Sequence, residues 1–213
     1  MHGAIDPLLV LVLLLNFLVL GTSRLRAAIT GSAAQGIVLG ALTLVVHRRI
    51  GLEVALIAGG AILVKGFLIP TLLSRAMREA AIRREIEPLI GYVPTLLLGA
   101  VGTGLSFIFA HTLPLAPEHV GSLLVPASLA TVLTGFLLLT TRRKAITQVV
   151  GYLILENGIF IMGLTLLEAM PFLVEIGVLL DLFVGIFVMG IIINHISREF
   201  SSLDTARLSA LKE

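Results

Sequence analysis

Gly151-Tyr152-Leu153-Ile154-Leu155-Glu156-Asn157-Gly158-Ile159-Phe160-Ile161-Met162 sets a carboxylate in the middle of an otherwise apolar run that extends from Ala145 to Leu167. The triplet Arg142-Arg143-Lys144 precedes the run and Glu168 follows it. A helix takes roughly 20 residues to cross the hydrocarbon core of a bilayer, so the run predicts a membrane span. A charged, unpaired carboxylate at that depth costs several kcal/mol. Glu156 must therefore face protein or water, pair with a cation, or hold a proton.

The rest of the chain is of the same kind. Hydrophobic residues make up 57% of it and charged residues 13%, and its mean hydropathy is +1.08. A soluble domain carries about 25% charged residues, so the composition predicts an all-α integral membrane protein. With no cysteine, a disulfide, a thiolate metal site and a cysteine-ligated iron–sulfur cluster are excluded. Tryptophan is absent and tyrosine occurs twice, which leaves a thin aromatic belt. The net charge of +2 comes from basic residues clustered between spans. That pattern speaks of membrane topology rather than of nucleic-acid binding.

Seven spans are predicted. The first runs from Pro7 to Leu20, opening on Asp6-Pro7 as a helix start, with no positive n-region or cleavage site of a removable leader. Asn16 is its polar interior residue and reads as an interhelical hydrogen bond. The second runs from Ala27 to Val46 and carries Gly36-x-x-x-Gly40, which permits close backbone packing. The third, Leu52 to Leu73, contains Lys65 and Pro70. Ser74–Glu87 is strongly polar, with Met77, Ala81 and Ile82 at helical spacing, and predicts an amphipathic surface helix that is either a docking surface or a solvated linker. The fourth span runs from Pro88 to His111. The fifth runs from Gly121 to Thr141, with a possible kink at Pro126. The sixth is the opening stretch, and the seventh runs from Pro171 to Ile196.

The divisions are 1–75, three spans that suggest a degenerate repeat of the later unit; 76–120, the amphipathic segment and fourth span; 121–198, a three-span unit; and 199–213, a cytoplasmic tail. The repeat rests on Arg24-Leu-Arg-Ala-Ala-Ile-Thr30 echoing Arg142-Arg-Lys-Ala-Ile-Thr147. Basic residues follow the first, third and fifth spans and fill the tail, so the positive-inside rule places the N-terminus outside and the C-terminus in the cytoplasm. His47-Arg48-Arg49 runs against that rule; it is either an exception or a sign that the flanking boundaries differ.

Four ionisable residues fall inside predicted spans: Lys65, Glu156, Glu175 and Asp181. Such residues mark proton or ion pathways, and burial penalises the charged form of acid and amine alike, which is the property a proton relay uses. The alternative is an ion pair or interhelical bond that only holds the bundle together. Glu175 and Asp181 are about 9 Å apart along one helix and about 120° apart around it, too far for one dyad. Asn157, Asn194 and Tyr152 are placed to hold waters beside the acids. The five histidines are scattered at span ends, and no metal-ligand spacing, nucleophile with its base, or phosphate loop occurs.

From Gly121 onward the chain resembles the K subunit of respiratory complex I and the C subunit of multisubunit Na+/H+ antiporters. The features are Arg142-Arg143 before the second helix, Gly151, Glu156-Asn157, Asp181-x-x-x-Gly185, and then His195 and Arg198. The K subunit has its first acid two residues after the glycine, where this chain has Leu153; Glu156 lies about one turn later. Gly51-Leu52-Glu53 copies the K-type string but follows Arg48-Arg49, at the predicted interface. The seven-span length and Lys65-Gly66-x-x-Ile69-Pro70 make the whole chain similar to hydrogenase-4 component E, of group 4 [NiFe] hydrogenase and formate hydrogenlyase-type complexes. The resemblance implies a cell inner membrane location and a non-catalytic subunit beside antiporter-like and other hydrogenase subunits. It also implies Glu156 and Asp181 as proton-handling acids supported by Glu175 and Lys65. Nickel-iron and iron–sulfur centres would lie in partner subunits, with no cofactor in this chain. A passive scaffold, an antiporter subunit and a stand-alone transporter are the competing readings.

Overall fold

The computed structural model describes residues 2–46, 51–79, 88–113 and 121–166. Among these residues every regular element is a helix. α1 (His2–Gly21) and α2 (Leu25–Val46) form a hairpin. α3 (Leu52–Ala61), a π-helical segment (Ile62–Leu68) and α4 (Ile69–Glu79) run on as one rod, followed by α5 (Tyr92–Thr112), α6 (Leu124–Thr141) and α7 (Ala145–Leu166). Six stretches among the described residues are long and apolar enough to cross a membrane: Ala4–Gly21, Leu25–Val46, Val54–Arg78, Tyr92–Thr112, Leu124–Thr141 and Ala145–Thr165. The predicted seventh span, from Pro171 to Ile196, lies outside the described residues.

α2 is central and packs on α1, on α7 and on the rod, while α6 packs on α7, α5 and α1. Two apolar clusters fill the bundle. One joins Leu20, Ile29, Leu73, Met77, Ile146 and Ile154; the other joins Leu9, Val12, Leu39, Leu124, Ile161 and Leu164. In α1, α2, α6 and α7 the two groups are separated by the positions where the polar residues fall. The outer face of α5 is an apolar stripe of Val93, Leu97, Val101, Leu105 and Ile108, all exposed. A stripe of that length suits a lipid environment and would be a liability in water.

Several boundaries differ from expectation. α1 begins at His2 rather than at Asp6-Pro7. The backbone bond that Pro7 forfeits is the one to Gly3, in a first turn that frays in any case. Pro126 does not kink its helix: it is the third residue of α6, where an N–H has no intrahelical acceptor. α5 starts at Tyr92, after Gly91, and not at Pro88. The rod continues through Glu79 instead of stopping at Leu73, because Ala76 and Met77 are buried with Leu73 against Leu25, Ile29 and Val150. Residues 80–87, the rest of the predicted amphipathic segment, lie outside the described residues.

The π segment has a cause in sequence. Pro70 has no N–H to give the Gly66 carbonyl, and its ring crowds that carbonyl. The turn before it widens, and the Ile69 N–H bonds to Val64 O, five residues back. Lys65 rides on this widened turn.

The end of the first span, the start of the fourth and the end of the fifth meet. The Leu89 N–H donates to Thr141 O at 2.8 Å, and Arg142 Nη2 donates to Leu20 O at 2.7 Å. The connections after the first and fifth spans, which carry Arg24, Arg143 and Lys144, thus share one end of the bundle.

Candidate functional site

Lys65, Gln35, Thr131 and Glu156 each lie near the middle of their span. Asn157 adjoins Glu156, and Asn16 is about one turn from the middle of α1. These six residues form a polar layer between the two apolar clusters. Lys65 Nζ and Glu156 Oε1 are 2.6 Å apart, with side chains 9% and 4% exposed. The Lys65 ammonium also stands 5.3 Å from the centroid of the Phe160 ring, within reach of a cation–π attraction. It reaches Asn157 Oδ1 at 3.5 Å, the far limit of a hydrogen bond.

From Asn157 a chain of hydrogen bonds crosses the bundle. Asn157 Nδ2 donates to Gln35 Oε1 at 3.3 Å, and Gln35 Nε2 donates to Asn16 Oδ1 at 2.7 Å and to Val12 O at 3.3 Å. Asn16 Nδ2 donates to Thr131 Oγ1 at 2.9 Å, whose hydroxyl donates to Ala127 O at 2.7 Å. Gln35 and Thr131 are wholly buried. Polar groups buried this deeply are tolerated because each is bonded.

Glycine brings the cation to the layer. A Cβ on Gly36 would lie 2.6 Å from Lys65 Cβ and 3.0 Å from its carbonyl carbon, so a side chain there would push the π segment away. Gly36-x-x-x-Gly40 is therefore the surface that receives the rod, with Gly40 against Ile62.

A buried pair of opposite charges has a definite chemistry. Desolvation opposes both charges and their attraction favours both, so the balance between ion pair and neutral pair is set by neighbours. At 2.6 Å only one short N···O contact separates the amine from the acid. The site can hold a charge pair, or pass a proton between acid and amine, between the two apolar clusters.

Of the seven residues read from sequence, Lys65, Glu156 and Asn157 come together here. Tyr152 lies one turn before Glu156 on α7 and is partly buried. Glu175, Asp181 and Asn194 fall outside the described residues. Asn16 makes the interhelical bond expected of it. Gln35 and Thr131 were not anticipated, because neither ionises; the signal for Gln35 was its place beside Gly36 in an apolar span. Arg142 is also unexpected. It is 1% exposed, caps the end of α1 through Leu20 O, and stacks 4.3 Å from the centroid of the Tyr92 ring. A cation at a helix C-terminus is favoured there by the exposed carbonyls. Arg142 thus joins α1, α5 and α6.

Beyond Gly66 a groove of about 270 Å³ opens between α2 and the rod, lined among others by Thr30, Phe67, Pro70, Thr71, Ser74 and Arg78. It has room for several waters at about 30 Å³ each.

The uncharacterized protein Rv0085 of Mycobacterium tuberculosis is 33% identical over 205 residues, covering 94% of this chain and 92% of that protein. Hydrogenase-4 component E of Escherichia coli K12 is 28% identical over 205 residues, covering 95% of this chain and 94% of that protein, and hydrogenase-4 component E of Shigella flexneri matches to the same extent. No family model and no solved structure matches. The chain belongs to the same family of membrane-spanning proteins as Rv0085, with hydrogenase-4 component E as a homologue along nearly its whole length.

Proposed function

We propose that the chain is a non-catalytic membrane subunit of a hydrogenase-type complex, and that Lys65 and Glu156 form a proton-exchanging pair at mid-membrane depth that couples redox chemistry elsewhere in the complex to proton movement. The observation that carries this reading is the 2.6 Å pair itself, buried and bonded into a polar layer. The homology to hydrogenase-4 component E supports the complex. Glu175 and Asp181 extend the path as further stations. The groove ending at Gly66, next to Lys65, is the route to the pair from the basic end of the bundle, which we assign to the cytoplasm on the positive-inside rule, with the N-terminus outside in an inner-membrane location. Residues 121–198 act as the unit resembling the complex I K subunit. Antiporter-like subunits are the neighbours, and the nickel-iron and iron–sulfur centres belong to other subunits.

The experiment is Glu156→Gln in the assembled complex. The amide keeps the shape and an acceptor for Lys65 while removing the titrating acid. Assembly is expected to persist and proton movement per electron to fall; unchanged coupling rejects the role.

A passive scaffold is the second reading. The direct ion pair favours it, since a pair joining the rod to α7 holds a bundle together whether or not it exchanges protons. The third reading, a subunit of a cation/proton antiporter, predicts ion exchange with no redox partner present.

A further inference from the structure

The amide chain across the bundle has a direction, and backbone carbonyls fix it. The Thr131 hydroxyl has one proton, given to Ala127 O, so toward Asn16 its oxygen accepts. That sets the Asn16 amide nitrogen on Thr131 and its oxygen toward Gln35. Gln35 Nε2 also meets Val12 O, which can only accept. Gln35 Oε1 is thereby turned to α7, where it takes a bond from Asn157 Nδ2. The Asn157 oxygen is left facing Lys65 Nζ.

The opposite order has three faults. It sets Gln35 Oε1 against Val12 O, two acceptors face to face. It draws the Thr131 proton away from Ala127 O. It points the Asn157 NH2 at the Lys65 ammonium, donor against donor. An unmade bond to a buried group costs more than the bond contributes when made, so the faults reinforce one another. A primary amide is also a poor proton carrier, because passing a proton on requires its imidic acid form. The chain orients; it does not conduct.

We infer that Thr131, Asn16 and Gln35 are positioning residues: through Asn157 they present an acceptor to Lys65, so that hydrogen-bond order on α1 and α6 governs the protonation of a lysine on the far side of α2. This deepens the proton-exchange reading and rests on it for its use, although the arrangement stands without it. Among the described residues the titratable group facing Lys65 is Glu156 on α7. α2 brings Gly36 to it, and α6 has no titratable residue at all. Glu175 and Asp181 lie outside the described residues.

The chain has three lysines, Lys65, Lys144 and Lys212, so nitrogen-15 lysine labelling of the full chain in lipid vesicles gives a readable spectrum. The Lys65 signal is assigned by its loss in Lys65→Arg. Thr131→Val is expected to displace the midpoint of the Lys65 titration by about half a pH unit or more, a fraction of the roughly one to two units that losing a whole bond to a charged group gives. Thr131→Ser, which keeps the hydroxyl, is expected to restore it. Gln35→Met is expected to displace it too, and Thr131→Val added to Gln35→Met to do nothing further, since both cut one chain. Midpoints equal to wild type, or a serine variant displaced as far as the valine one, overturn the inference. If Thr131→Val fails to fold, the unaltered chain still decides: its Gln35 side-chain amide signal must move with the Lys65 titration, and an unmoved signal overturns the inference. These readouts need no turnover. Unchanged coupling in Glu156→Gln would remove the proposed function and leave the polarity of the chain standing.

Discussion

At the residue scale the central fact is that Glu156 and Lys65 satisfy each other where neither would be tolerated alone. Removing one partner leaves a buried charge, which costs about 3–5 kcal/mol, whereas replacing both with apolar residues is close to neutral. Lys65→Met and Glu156→Leu are each expected to lower the stability of the purified chain by about that amount in denaturant titration. The double variant is expected to recover most of the loss. Two additive losses would show that the side chains do not meet. Glu156 was legible in sequence because a carboxylate in an apolar run has few explanations. Its partner was not: Lys65 is 91 positions away, and nothing in either segment says that the two helices touch. Gln35 and Thr131 were invisible for another reason, since uncharged polar residues are common in membrane helices and only the bonds they make distinguish them. Arg142 was legible only as a basic residue between two spans; that it caps α1 from within was not.

At the element scale the rod from Leu52 to Glu79 matters most. Pro70 widens it into the π segment and Gly36 lets that segment lie against α2. Gly36→Ala is expected to destabilise the chain by about 1–3 kcal/mol, the range for overpacking, because its Cβ meets Lys65 Cβ at 2.6 Å. Gly104→Ala is the control. A Cβ there meets nothing within 4 Å, so thermal unfolding should be unchanged or slightly raised. Equal effects at the two positions would mean that the rod does not pack on α2 as described. The existence and type of the helices were readable from apolar length alone. Their ends were not, because a helix terminates where its last turns lose contacts: Ala76 and Met77 continue the rod into a polar stretch that sequence assigned to the surface.

At the scale of the whole molecule, the bonds from Leu89 to Thr141 and from Arg142 to Leu20 gather the ends of three spans on one side. Because the chain has no cysteine, single cysteines introduced at Ser23 and Arg143 are clean probes. Both are expected to react with an impermeant reagent from the same side of sealed vesicles, and a cysteine at Thr112, exposed at the far end of α5, from the other. Ser23 and Arg143 reacting from opposite sides would break the topology. That much was present in sequence, in the basic connections after the first, third and fifth spans, with His47-Arg48-Arg49 running against the pattern. What gathers in the middle of the bilayer was not, because it assembles from five separate helical segments. The central claim, that the buried pair moves protons and does more than hold helices, is tested most directly by proton movement per electron in vesicles carrying the complex with Lys65→Met and Glu156→Leu combined. That variant keeps the packing and removes the titration. The account predicts an assembled complex whose hydrogenase turnover no longer drives proton movement at the wild-type ratio; an assembled complex with that ratio intact would contradict it.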